Sequence, residues 1–167
     1  MRFAPAAAAL SLVALVSASV AVSAQREPDP RSASLVAEGR AQLQSGDTQA
    51  AIDSFEAALA IDPAHSEVYI YLAEAARANG LQGKAIHYYR EMLERDPDNL
   101  AALSGEGAAL VEKGAVEKAR EKLAELQNVC GGACPEAQQL AAAITRGPLP
   151  AMASNEAAPV EEPVAQN

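Results

Sequence analysis

The feature that most constrains this chain is a repeat with a period of 34 residues. The stretch Leu81 to Pro97, LQGKAIHYYREMLERDP, sets Ala85, Tyr89, Met92 and Leu93 at helical spacing, the stripe of a helix with one buried face. One period earlier the stripe is Ala51, Phe55, Ala58 and Leu59, and both copies end in Asp-Pro, at Asp62-Pro63 and Asp96-Pro97. One period later it is Ala119, Leu123, Leu126 and Gln127. A fixed period of this size implies stacked copies of one supersecondary unit, each too small to bury its apolar face alone. Half of the chain is apolar, much of it alanine, with no tryptophan and only 4% aromatics. Such a composition suits helices whose backbones approach closely and argues against a β-sandwich. The fold class expected is all-α.

Taken in order, residues 1–24 read as a signal peptide. Arg2 gives a positive start, Ala6 to Val22 is apolar apart from serines, and Val22-Ser23-Ala24 offers small side chains for cleavage after Ala24. The chain is then expected in the periplasm or secreted, with no membrane span after cleavage. Residues 25–31 form an extended, mobile lead-in. The repeat domain covers 32–146, as units 32–65, 66–99 and 100–133 followed by a capping helix, 135–146. Ser32 is placed to cap the first helix and Asp47 the second. Gly46, Gly80 and Gly114 mark the turn inside each unit, and Pro63 and Pro97 stop the second helices. Residues 147–167, rich in Pro, Ala and Glu, read as a disordered tail.

Column by column the units resemble the tetratricopeptide repeat. Leu35, Tyr69 and Leu103 hold its first large position; Gly39, Ala73 and Gly107 its first small one. Ala51, Ala85 and Ala119 hold the alanine of the second helix, and Phe55 and Tyr89 the aromatic, with Leu123 in the third copy. The closing proline is absent from the third unit, where Gly131 stands. The resemblance implies an α-α superhelix of three helix-turn-helix units plus the capping helix. Phe55 and Tyr89 are then core residues rather than ligand contacts.

The resemblance also implies that the first helix of each unit lines a concave surface where partners dock. Carried over, the groove residues are Val36, Arg40 and Leu43 in the first unit. The second gives Ile70, Tyr71, Glu74 and Arg77, and the third Ser104, Ala108, Val111 and Glu112. Mixed apolar and charged positions suit a peptide held by a few anchors with charges setting its register. Some family members clamp a C-terminal carboxylate with lysine and asparagine. Val36, Arg40, Ile70 and Glu74 stand at those positions here, so that clamp is absent.

Cys130 and Cys134 are the two cysteines of the chain. In an exported protein such a pair reads as a structural disulfide, pinning the capping helix where the proline stop is missing. His65 and His87 read as surface histidines, and the carboxylates as a solvated outer face, with Glu117 and Glu121 beside Lys118 and Lys122. No catalytic constellation, metal set or cofactor site is expected. The formal net charge of −9 argues against nucleic-acid binding. The function expected is a non-catalytic interaction scaffold for another protein or a peptide segment. The alternative is an accessory factor of cell-envelope assembly, in cytochrome maturation or pilus biogenesis, with a redox-exchanging cysteine pair. The open ends of the stack also leave room for self-association.

Overall fold

Three glycines set the geometry of the units. Gly46, Gly80 and Gly114 have φ of +84°, +72° and +84°, a region closed to most side chains. Each closes the same pair of bonds. The amide of Gly46 donates to Leu43 O at 3.1 Å and that of Asp47 to Gln42 O at 2.9 Å, and the pattern recurs at Gly80-Leu81 and Gly114-Ala115. This is the Schellman ending, which satisfies the last carbonyls of a helix while reversing the chain.

The computed structural model describes residues 26–148, and within them seven helices. These are α1 Pro30–Gln44, α2 Thr48–Ile61, α3 Val68–Ala78, α4 Gln82–Leu93, α5 Leu100–Glu112, α6 Val116–Cys130 and α7 Pro135–Arg146. The pairs α1–α2, α3–α4 and α5–α6 pack antiparallel, consecutive pairs stack, and the first helices α1, α3, α5 and α7 lie side by side. The result is an all-α superhelix of helical hairpins. The segments expected to be signal peptide (1–24) and most of the tail (147–167) lie outside the described residues.

Small residues permit the close packing. Ala51, Ala85 and Ala119 are completely buried. A Cβ on Gly39 would sit 2.5 Å from the Phe55 ring, and one on Gly107 would sit 2.5 Å from Leu140 of α7. Phe55 and Tyr89 are the two largest fully buried side chains. Three apolar clusters run along the stack, joined by half-buried Tyr88, Leu93 and Ile144, each of which touches two of them.

Several local expectations are corrected. Ser32 does not cap α1: Asp29 does, its side chain accepting from Arg31 N at 2.8 Å. Ser32 is buried within the first turn of that helix, and its Oγ lies 2.8 Å from Nδ1 of His65. His65 is therefore not a surface residue but is buried against the start of α1 in its own unit, whereas His87 is exposed. Residues 26–29 are not a free lead-in. Asp62, 3% exposed, accepts from Arg26 Nη1 at 3.1 Å and from the Asp29 amide at 2.9 Å. A carboxylate at the C-terminal end of α2 thus ties down the chain that enters the first unit.

Nor do all carboxylates face water. Glu106 of α5 is completely buried between the second helices, where Arg90 of α4 donates to its Oε1 at 2.7 Å and Lys122 Nζ of α6 lies 3.3 Å from its Oε2. Lys122 also bonds Glu125 at 2.7 Å. Burial alone would lower the Lys122 ammonium, but Glu125 and Glu106 outweigh it and hold it above its ordinary value. Glu117 pairs with Arg120 rather than with the neighbouring lysines.

Candidate functional site

The concave side carries a cleft of about 630 Å³ between α3, α5 and α7. Its floor is α5, where Ala101, Gly105 and Ala108 present almost no side chain. Gly105 is bare for a packing reason: Tyr89 stands directly beneath, and a Cβ would come within 2.3 Å of its ring. Burial raises the Tyr89 phenol above its ordinary value, so it stays neutral under the floor.

Of the groove residues expected from sequence, Glu74, Arg77, Ser104, Ala108, Val111 and Glu112 line this cleft. Arg77 and Glu112 do not stand free. Arg77 Nε donates to Glu112 Oε2 at 3.2 Å and its Nη2 donates to Oε1, a two-point pair joining the second and third units. That pairing holds the guanidinium well above its usual value. Glu74 lies on the α3 wall and makes no ion pair among the described residues. Its carboxyl is raised by desolvation, against the pull of Arg77 and Arg40.

The remaining expectations are corrected. Val36 and Ile70 are 8% and 9% exposed and belong to the core clusters, and Val111, at 3%, only closes the floor from below. Each first helix packs on its own partner and on a neighbouring first helix, so its free stripe is narrower than the repeat pattern suggests. Arg40, Leu43 and Tyr71 lie outside the cleft. Tyr71 stacks on Phe55 with centroids 5.6 Å apart, and Arg40 covers its other surroundings with Cζ 5.3 Å from the ring centroid. The Tyr71 hydroxyl donates to Glu67 at 2.8 Å, and burial together with that carboxylate pushes it up to about 12. Together these contacts join the first and second units through Tyr71.

The wall that sequence reasoning missed is α7. Glu136, Gln139, Ala143 and Arg146 line the cleft, and Ser104 Oγ donates to the Glu136 carbonyl at 3.3 Å. A signal was present: counting the 34-residue period past Gly131 puts Arg146 in register with Glu112 and Gln139 with Gly105. The capping helix is thereby the first helix of an incomplete fourth unit. Cys130 and Cys134, at the end of α6 and just before α7, have their sulfurs 2.02 Å apart with Cα atoms 6.0 Å apart. Both pack against the cluster holding Leu126, Ala137 and Leu140. No group of three or more His, Cys, Asp or Glu is placed to hold a metal ion among the described residues, and no helix there is long and apolar enough to cross a membrane.

Two profiles described as tetratricopeptide repeat match the chain, one over residues 36–99 and one over 83–144. The Sgt2 TPR domain from Aspergillus fumigatus is 27% identical, with 80% of this chain and 94% of that one covered and a TM-score of 0.63. The type III secretion chaperone SycD of Yersinia enterocolitica, in complex with a peptide of the translocator YopD, is 24% identical. It covers 68% of this chain and 86% of its own, with a TM-score of 0.59. The first TPR of Spaghetti (RPAP3), bound to the HSP90 peptide SRMEEVD, is 18% identical over 70% of this chain and 91% of that one, with a TM-score of 0.63.

Proposed function

This chain belongs to the tetratricopeptide repeat family, and on that premise we propose that it is a non-catalytic scaffold, exported to the periplasm or secreted, that holds a peptide segment of another protein in the cleft between α3, α5 and α7. The observation that carries the reading is the cleft itself: a floor of alanine and glycine between two walls that bear charged and amide side chains. A floor without side chains lets an incoming backbone approach α5 closely, and the walls supply the polar contacts that fix its register. SycD and RPAP3, which share the fold, are each described in complex with a peptide. Export rests on Arg2, the apolar run Ala6 to Val22 and the small residues before Gln25.

The test is site-specific photo-crosslinking in the native host. A crosslinker at Ala108 or Gln139, inside the cleft, should trap the same partner, and one at Glu121, exposed on α6, should not. Ala108→Trp fills the floor and should reduce trapping from Gln139 by about tenfold, a loss of roughly 1.4 kcal/mol in binding. Equal trapping from α6, or trapping indifferent to Ala108→Trp, would sink the cleft reading. Intact mass of the protein from fractionated cells should begin at Gln25; a mass that includes residues 1–24 would refute cleavage there. For the envelope-assembly alternative the measurement is the reduction potential of the cysteine pair, where a value below about −300 mV marks a structural bridge and removes that reading.

A further inference from the structure

We infer that the segment held in the cleft presents a lysine or arginine whose cationic head pairs with Glu74 and whose aliphatic stem lies on the bare floor of α5. The inference rests on the scaffold reading above and names the chemistry of its partner.

The argument is an accounting of the charges that line the cleft. There are five: Glu74, Arg77, Glu112, Glu136 and Arg146. Arg77 and Glu112 satisfy each other through two bonds. Glu136 lies in the first turn of α7 and Arg146 in its last, where the dipole of their own helix favours each sign. Glu74 has no such compensation. It stands in the interior of α3 rather than at either end, and it makes no ion pair among the described residues. The two cations that it senses are both engaged, Arg77 with Glu112 and Arg40 against the Tyr71 ring. Glu74 is exposed to solvent in the cleft, yet the protein around it is the largest influence on its carboxyl and raises it, a modest cost to the charged form. A cation delivered by a partner would remove that cost, and an acidic partner would add to it.

The floor accounts for the rest of the side chain. Ala101, Gly105 and Ala108 offer an apolar strip without projections, and long basic side chains lay their methylene stems on such surfaces while keeping the charge at a polar edge. Tyr89 keeps that strip bare, because its ring occupies the space a side chain at Gly105 would need.

The experiment is an NMR titration of the isotope-labelled protein with three capped peptides, in which alanine alternates with lysine, glutamine or glutamate. The lysine peptide should shift the amides of Ser104, Ala108 and Gln139 saturably and bind about fivefold more tightly than the glutamine peptide, the scale of a half-exposed ion pair. Glu74→Gln should erase that preference without weakening the glutamine peptide, and Glu74→Lys should turn it toward the glutamate peptide. General attraction to an acidic protein would survive Glu74→Gln, so persistence of the lysine preference in that variant overturns the inference. It is also overturned if the glutamate peptide binds wild type as well as the lysine peptide does, an outcome that leaves the scaffold reading standing. Absence of cleft shifts with every peptide overturns the inference too, and the crosslinking test then decides separately whether the cleft holds a partner at all.

Discussion

At the scale of single residues, two glycines in helices show how packing decides what a side chain costs. Gly105 and Gly83 lie inside α5 and α4, where glycine is a poor helix former by about 1 kcal/mol relative to alanine. Around Gly83 the nearest atom to an added Cβ is the flexible end of Lys113 at 3.9 Å, while around Gly105 it is the buried Tyr89 ring at 2.3 Å. Gly83→Ala, in the first turn of α4, should therefore stabilise the protein modestly, by up to about 1 kcal/mol. Gly105→Ala should destabilise it by about 1–2 kcal/mol, because the buried Tyr89 ring would have to shift and overpacking outweighs helix propensity. Urea denaturation of the two variants measures both, and the same sign for both would refute the account. Glu106 makes the converse point. Its spacing on α5 reads like that of any exposed helical carboxylate, and only the approach of Arg90 from the preceding unit and of Lys122 from the partner helix α6 makes it a buried, paired one.

At the scale of elements, the segment before α1 is held by one carboxylate. The Asp29 amide, the Ala64 amide and the Arg26 guanidinium all donate to Asp62. The Asp29 bond is the largest of the influences that hold the Asp62 carboxyl below its ordinary value, with burial opposing. A folded-state value below the unfolded one means that the ionised form is the one the fold favours. The stabilisation is then complete above the unfolded value of about 3.9 and is lost as pH falls below it through the lower folded value. We expect the Asp29 amide to be protected from hydrogen exchange at pH 5 and to lose protection as pH drops below about 3.9. In Asp62→Asn, protection should no longer depend on pH over that range; a persistent fall would assign the titration to another group. The element that changes most in meaning is α7. It covers the end of the stack, as a cap should, with Ala137 and Leu140 buried against α5 and α6, and its other face forms a wall of the cleft.

At the scale of the whole molecule, the apolar clusters are bridged by shared residues, Tyr88 between the first two and Leu93 and Ile144 between the last two. Contiguous interfaces of this kind couple neighbouring units, and a short stack so coupled should unfold as one. Helix content by circular dichroism and tyrosine fluorescence should therefore report the same urea midpoint. Separated midpoints would show that the second unit, which holds all four tyrosines, melts apart from the rest.

Much of this was readable from spacing. The period fixed the hairpins, the turn glycines and the burial of Phe55 and Tyr89, because each depends on residues close in sequence or repeated at a constant interval. Half of the expected groove set also reached the cleft. The failures share a cause. Val36, Ile70 and Val111 are buried in apolar clusters drawn from several helices, His65 meets Ser32 from the far end of its unit, and Arg77 and Glu112 find each other from separate units. A repeat pattern lists what each position is within one unit, so it is blind to what the neighbouring unit places opposite. The sequence alone determined that the chain is a stack of helical pairs, since a period of 34 with small residues at fixed columns has few other ways to bury its apolar faces. Which charges remain free to meet a partner was decided only by the stacking, because ion pairing and burial depend on distances between units that no local spacing encodes.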